Sequence, residues 1–512
     1  MLSRVVFFRS QNTLNIINNP LSFRLRFYHA ISNKLPLLPV LVQLENNMQQ
    51  SSFLHDFSFC NVVSPVVQHA TPSVIAYLKT LKEKGVDIHA YYKSYSAVPS
   101  MIELSENFNI PVQPFSLPNV PERFDSFFAG DIVNMIERQF HDRSFERLRY
   151  FIGLDEGGVL NLLFHFPEYF VEKYHMSYEM LEKVLQIKQH FKDRMCMVEQ
   201  TARGMRIFDS HCSPDMPVID FANACIKNTV EPKFTCDQFL PFVKEITKNL
   251  NMPVTYGIIG AHGSMGKIAL NCLLDIGCQV VTNDIVDSPV KPEVYHEKDL
   301  RIFLNQVDVV FSFSGNDVFA RENLDDDFLL SLTRQSPKCF VSFSSNNIEF
   351  LHAISRYRKL SSEVAASLDE DPFSDIEIGN LKILAGGYPY NLIKLRNDPE
   401  SYDNPHFWQM TRALIKAAME IQAPLLLQAQ APAGIYQLHY SIQQYIMLSC
   451  VKYWRQMEHR SVFTDAQLEE FEDKFRNIEY IRESSSGADV PEEVDEKLNR
   501  FFDQEKPSIS MR

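Results

Sequence analysis

The apolar positions of this chain fall into short continuous runs separated by stretches of helical period. NVVSPVVQ (61–68) is an apolar run that predicts a strand ending near His69. Ile75, Leu78 and Leu81 then recur at helical spacing up to a stop at Lys84-Gly85. VDIHAYYKSY (86–95) alternates as a strand does, MIELSENF (101–108) reads as a helix, and IPVQPF (110–115) as a further short strand. RLRYFIGLDEGGVLN (147–161) runs an apolar strand into two acids and two glycines. A helix over 178–194 and a strand ending in VEQTARG (198–204) follow. Strand and helix alternate throughout, the pattern of a parallel sheet covered by helices.

The pattern is sharpest from Val254 onward. VTYGIIG has the length and composition of a buried parallel strand. GAHGSMG supplies a turn, and SMGKIALNCLLDIG continues as a helix with Ile268, Leu270, Cys272 and Leu273 apolar and Gly277 as its stop. CQVVTND is a second strand, and VDVVFSFSG (307–315) and KCFVSFS (338–344) are further ones. At least four strands alternating with helices in this stretch predict a doubly wound sheet. Beyond LKILAGGYPYNLI (381–393) lies an amphipathic helix, FWQMTRALIKAAMEI, and residues 435–482 read as mostly helical. SSEVAASLDEDP (361–372) and ESSSGADVPEEVDEK (483–497) are expected to be exposed loops.

Gly260, Gly263 and Gly266 sit in the turn between the Val254 strand and its helix, spaced GxxGxxG. In such a turn the first glycine permits a tight reversal and the second lets the backbone approach a pyrophosphate. The third lets the helix pack closely on the strand. Free N–H groups and the positive end of the helix dipole then favour a diphosphate. His262, Ser264 and Met265 belong to the same turn. Asp284 closes the following strand about 20 residues on, where an acid accepts hydrogen bonds from ribose hydroxyls. No Arg stands beside Asp284 to receive a 2′-phosphate, so the expected cofactor is NAD rather than NADP.

Composition narrows the partners. The chain has 512 residues, enough for two or three domains, with net charge −14. No dense basic stripe offers itself to phosphate backbones, so a nucleic-acid partner is not expected. No apolar run approaches the roughly 20 residues needed to cross a bilayer. The nine cysteines are scattered without a CxxC pair, which predicts neither a metal cage nor a disulfide framework; a reducing compartment, with Cys272 and Cys339 as buried thiols, is the plain expectation. Residues 1–44 carry Arg4, Arg9, Arg24, Arg26 and Lys34 and no acid, a basic leader expected to be poorly ordered. The expected location is cytoplasmic, with mitochondrial import through that leader as the alternative.

Several segments, in order, resemble the S-adenosylhomocysteine hydrolase family over roughly residues 60–440. VQHATPSVIAYLKTLKEKGVDIH resembles its first substrate-binding segment, with His69 and Thr71 as the His-x-Thr. LDEGG (154–158) is similar to the family's LDDGG, with Glu156 in place of a catalytic Asp. EQTARG (199–204) stands where the family has EETTTG, bringing Gln200 to a substrate position and Thr201 to the nicotinamide. PVIDFANACIKNTVEP (217–232) is similar to the segment bearing the catalytic Lys and Asp, here Lys227 and Glu231. FSFSG (311–315), with Ser314 and Gly315, matches the family's TTTG beside the cofactor. ILAGGYPYNLI (383–393) resembles the return to the substrate domain, with Asn391 on the family's Asn.

The resemblance implies an α/β protein with a doubly wound, parallel-sheet (Rossmann) NAD-binding domain inserted into a second α/β substrate domain, with a helical C-terminal tail. Its expected bounds are a leader over 1–50, the substrate domain over 51–225 and 385–440, the NAD domain over 226–384 and the tail over 441–512. It further implies an adenosine-like small molecule as substrate, a homo-oligomer, and hydrolysis of S-adenosylhomocysteine to adenosine and homocysteine. In that reaction bound NAD oxidises a ribose hydroxyl. Lys227 assists its deprotonation, while Glu156 and Glu231 transfer protons or orient the lysine.

The chain also departs from the family. SFSSNNIEF (342–350) has Asn346 or Asn347 where a His is usual, and asparagine cannot shuttle a proton near neutral pH. A second family His has only a displaced His406. Ser73 and Gln200 replace glutamates, Ala202 and Arg203 replace threonines, and the terminus KPSISMR lacks the family's Lys/Tyr ending. Two alternatives therefore stand beside the hydrolase. One is a catalytically impaired homologue that binds NAD or adenosine and regulates a partner. The other is an NAD-dependent oxidoreductase acting on another small hydroxyl substrate.

Overall fold

The computed structural model describes residues 39–51, 54, 57–113, 124–210, 213–247, 254–344, 348–391, 393, 405–456, 463–476 and 488–504. Its strands, in chain order, are β1 Val62–Gln68, β2 Asp87–Tyr92, β3 Tyr150–Asp155, β4 Met195–Glu199, β5 Pro217–Asp220, β6 Thr255–Ile259, β7 Gln279–Asn283, β8 Tyr295–His296, β9 Val309–Ser312, β10 Lys338–Ser342, β11 Ile376–Ile378, β12 Leu381–Ile383 and β13 Gly434–Gln437.

They form two sheets. The first has the order β13-β5-β4-β3-β1-β2, with every pairing parallel. All of β1 and β3 except Tyr150 are buried, as strands covered on both faces by helices must be, which is why they read as unbroken apolar runs. The second has the order β11-β12-β10-β9-β6-β7-β8, parallel except where β11 runs against β12. Counting from β6, its central order is 3-2-1-4-5, the doubly wound Rossmann arrangement, whereas 2-1-3-4-5 in the first sheet is the flavodoxin-like one. In each, the strand order reverses beside one strand, between β1 and β3 and between β6 and β9. The crevices that bind ligands in such sheets open there, beyond the carboxyl ends of the strands.

Helix Cys225–Thr247 leads from the first sheet to the second. Its Phe239 stacks edge-on against Phe311 of β9 and its Phe242 against Tyr390, so one apolar cluster runs from the first sheet onto a face of the second.

The chain after 405 belongs to the first sheet. Helix Pro405–Ala417, a five-residue π-turn at Ala418–Gln422 and helix Ala423–Gln428 pack with helix Tyr440–Gln456 in one cluster with β1 and β4. The region from 441 is helical as expected in its described part, and Ile442, Ile446, Cys450 and Trp454 are core residues. Within 435–482 a strand, β13, closes the sheet at β5.

Other expectations change too. Part of the leader, Pro39–Gln50, is a helix whose Val40 and Leu44 are buried; its Glu45 pairs with Lys84 and Lys416. Residues 361–372 hold helix Ser362–Glu370, with Val364 and Leu368 buried, rather than a loop. Most of 483–497 that is described lies in helix Glu492–Gln504 or leads into it. The strand expected over 110–115 is reduced to a single bridge, Ala90 to Val112, in its described part. Cys272 is disulfide-bonded rather than a free thiol, while Cys339 is free and buried.

Candidate functional site

The crevice of the second sheet is built from the ends of β6, β7 and β9. Gly260 ends β6 with φ +80°, a conformation that side chains other than glycine rarely adopt. A Cβ there would lie 2.9 Å from the backbone nitrogen of Ser314, so the turn and the loop after β9 touch only because the side chain is absent. A Cβ on Gly266 would collide with the carbonyl oxygen of Gly260, which places helix Ser264–Asp275 directly on its strand. This helix begins after Gly263, which supplies no side-chain cap. Its first N–H groups therefore face the crevice without a capping side chain, a setting that suits a diphosphate.

Asp284 follows β7 and bonds back into the same turn. Its Oδ2 accepts from the backbone N–H of His262 at 2.8 Å, and Oδ1 accepts from Val286 at 3.2 Å. The His262 ring meets the carbonyl of Ser288 at 2.8 Å. Ser264 is exposed and Met265 half-buried at the mouth. Ser314 and Gly315 are held from below by Glu349, a fully buried carboxylate. Its Oε1 accepts from Ser312 Oγ, Ser314 Oγ and the N–H of Gly315, and its Oε2 accepts from Ser342 Oγ. Burial pushes the Glu349 carboxyl up, against these donors.

The crevice of the first sheet brings together His69, Glu156, Gln200, Lys227 and Glu231. His69 follows β1 and Glu156 follows β3. The imidazole Nε2 lies 2.8 Å from Glu156 Oε1, and the His69 backbone N–H donates to Oε2 at 3.1 Å. The other ring nitrogen meets Ser96 Oγ at 3.1 Å. Burial would raise the Glu156 carboxyl, but His69 and Lys93 outweigh it and hold the acid well below its ordinary range. Burial lowers the proton affinity of His69 although Glu156 opposes this.

Lys227 lies in the first turn of helix Cys225–Thr247. It donates to the backbone carbonyl of Gln200, pairs with Glu231 at 3.6 Å and stands over the Phe221 ring. The Gln200 side chain donates to the carbonyl of Asp155 at 3.2 Å.

Two expected site residues serve the scaffold. Thr71, fully buried, caps helix Pro72–Glu83 by accepting from Val74. Thr201 donates both its N–H and its hydroxyl to Glu199 Oε1, at 2.8 and 2.7 Å. Asn391 follows the left-handed run Ala385–Gly387, with its side-chain oxygen buried and lacking a hydrogen-bond partner. Asn346 and Asn347 lie outside the described residues.

Three groups here escaped the sequence reading. Asp155 and Glu199, paired in register on β3 and β4 and both fully buried, are pushed up by burial, and Glu199 further by the charge of Asp155. Asn161 bridges them, donating at 3.1 Å to Asp155 and at 3.0 Å to Glu199. Lys93, just after β2, is buried with them. LDEGG did contain Asp155, but no local signal marks a lysine as buried.

The two crevices face one another. Arg206 of helix Ala202–Ser210 reaches within 3.9 Å of where a side chain on Gly315 would begin. Tyr95, 5.4 Å from the His69 ring, packs at 5.7 Å on Tyr388 of the segment returning from β12. Among the described residues no group of three or more His, Cys, Asp or Glu is arranged to hold a metal ion, and no helix is long and apolar enough to cross a membrane.

With strand order and crevices in place, the class is that of α/β proteins whose second sheet has the Rossmann winding. No protein-family model and no curated protein matches the chain. Solved structures of similar shape include a 2-hydroxyacid dehydrogenase from Ketogulonicigenium vulgare, at 9% identity and TM-score 0.33 over 69% of this chain and 94% of that one. The A chain of dipicolinate synthase from Bacillus subtilis has 10% identity and TM-score 0.33 over 71% and 97%. A probable 2-hydroxyacid dehydrogenase from Rhizobium etli, solved with NADP, HEPES and L(+)-tartaric acid, has 12% identity and TM-score 0.31 over 70% and 94%. The strand order of the chain itself defines the fold.

Proposed function

We propose that the protein is an NAD-dependent enzyme that oxidises a hydroxyl-bearing carbon of a small molecule. NAD would lie at the β6–β9 crevice and the substrate at the β1–β3 crevice opposite. The observation that carries this is the glycine turn, where Gly260 and Gly266 admit no Cβ and an uncapped helix start stands beside Asp284. The residues present fit a dinucleotide. The N–H groups from Gly263 to Gly266 would take the diphosphate, and Asp284, exchanging its bond to His262, would accept from a ribose hydroxyl. Bound there, the nicotinamide supplies a two-electron acceptor for hydride. Lys227, steadied by Glu231 and the Gln200 carbonyl, donates to the substrate hydroxyl oxygen and stabilises its developing negative charge, while Glu231 receives the proton. The His69–Glu156 pair stands ready to relay that proton onward.

A second reading is thioether hydrolysis of the adenosylhomocysteine type, which begins with the same oxidation. What favours it is that His69, Glu156, Lys227 and Glu231, spread over the ordered segments of the resemblance, meet in one crevice. One experiment separates the two. Purified protein is supplied with NAD and either small hydroxy compounds or S-adenosylhomocysteine, while absorbance at 340 nm and free homocysteine are followed. Accumulating NADH supports the oxidoreductase, and homocysteine without net NADH supports the hydrolase. Neither product from any compound would overturn both.

A further inference from the structure

The proposed function gives no role to Lys93, a cation of the first-sheet crevice. Lys93 is 4% exposed, and its closest charge is Glu156 Oε1 at 3.9 Å, beyond hydrogen-bond range. An ammonium carries three donors and no acceptor, and among the described residues none of the three is taken up.

Most nearby acceptors are engaged elsewhere, while Asp155 Oδ1 is buried without a partner. Glu156 serves His69 with both oxygens. Glu199 accepts from Gly157, Thr201 and Asn161, and Asp155 from Asn161. Gly157, at φ +111°, stands beside the ammonium, its Cβ position 3.6 Å from Nζ. Charges of both signs surround it: Glu156, Glu199 and Asp155 attract Lys93. Arg203 repels Lys93, Lys227 acts on Glu156, and Arg412 acts on His69. A buried ammonium without hydrogen bonds is costly, and an anionic oxygen is the partner that restores short, charge-assisted ones.

We propose that Lys93 anchors an anionic oxygen of the substrate, a carboxylate or phosphate oxygen, in the crevice between β1 and β3. This deepens the proposed function by giving its hydroxyl substrate a charged handle, and it rests on that reading for calling the ligand a substrate.

The test is calorimetric titration of the full-length protein with oxalate, inorganic phosphate and the neutral analogue oxamide, with and without saturating NAD. Oxalate or phosphate should bind more tightly than oxamide, and whichever binds better identifies the handle as carboxylate or phosphate. Lys93→Met should weaken that anion by about tenfold or more, corresponding to about 1.4 kcal/mol, while Lys93→Arg stays within a few-fold. An unchanged NAD affinity in Lys93→Met certifies its fold. Equal anion affinity in wild type and Lys93→Met, or oxamide binding as well as both anions, overturns the proposal. Failure of NAD binding alongside Lys93-dependent anion binding would sink the proposed function alone.

Discussion

His69 Nε2 and Glu156 Oε1 lie 2.8 Å apart at the point where the strand order of the first sheet reverses. The contact joins the residue after β1 to the residue after β3, and the His69 backbone N–H closes it on the second carboxylate oxygen. Glu156→Gln keeps an acceptor but loses the charge that holds the imidazole. Substrate oxidation followed at 340 nm should fall about 10²–10⁴-fold, the usual scale for a lost proton-transfer group, with NAD affinity unchanged. Full activity in this variant would remove the pair from the chemistry.

Two glycine substitutions separate close packing from conformational cost. Gly266→Ala drives a Cβ into the Gly260 carbonyl, whereas Gly277→Ala, at φ +78°, meets nothing within 4 Å. The first should abolish NAD binding and lower the melting temperature. The second should cost about 1 kcal/mol in denaturant unfolding and leave NAD affinity intact. NAD binding by Gly266→Ala at wild-type affinity would contradict the assigned turn.

The acids Asp155 and Glu199 set a pH dependence. Both folded values are raised, so the folded state holds protons that the unfolded chain releases. Their favourable contribution is present below the ordinary carboxylate range and declines as pH rises toward the raised values. Asp155→Asn removes one charge while retaining an acceptor for Asn161. Calorimetry should show it gaining on wild type between pH 5 and pH 8; a constant difference across that range would contradict the raised values.

Helix Pro39–Gln50 is fastened by charge. Lys416 meets Glu45 at 2.5 Å and Glu420 at 2.8 Å, with Lys84 also on both acids. Glu420 is fully buried. Lys416→Met should cost about 3 kcal/mol in urea unfolding, toward the low end for a broken buried pair because Lys84 remains. Burial would raise Glu45, but Lys416 and Lys84 pull it down from 4.5 to about 2. Its contribution is therefore present above pH 4.5 and lost as pH falls from there toward 2.

The second sheet was the more legible part of the chain, because β6, its glycine turn and β7 are contiguous and their periodicity is local. β13 was hidden because four residues, GIYQ, acquire strand character only by pairing with β5, more than 200 positions earlier. Helices Ser362–Glu370 and Glu492–Gln504 were masked by Ser, Asp and Glu, although Val364 with Leu368 and Val494 with Leu498 form the buried stripe. The resemblance brought His69, Glu156 and Lys227 forward by their neighbours in sequence. Lys93 has no such neighbours, and Glu349 lies in SFSSNNIEF, where the comparison fell on the asparagines. The importance of both comes from burial among groups that the fold gathers from distant strands.

The most direct test of the account is NAD titration of wild type and Asp284→Ala by calorimetry, after acid release has measured any NAD carried through purification. Saturable NAD binding, or resident NAD, in wild type is expected, with affinity weakened about tenfold or more in Asp284→Ala. No resident NAD and no binding at millimolar concentration, or equal affinity in the two proteins, would contradict a dinucleotide site between Gly260 and Asp284.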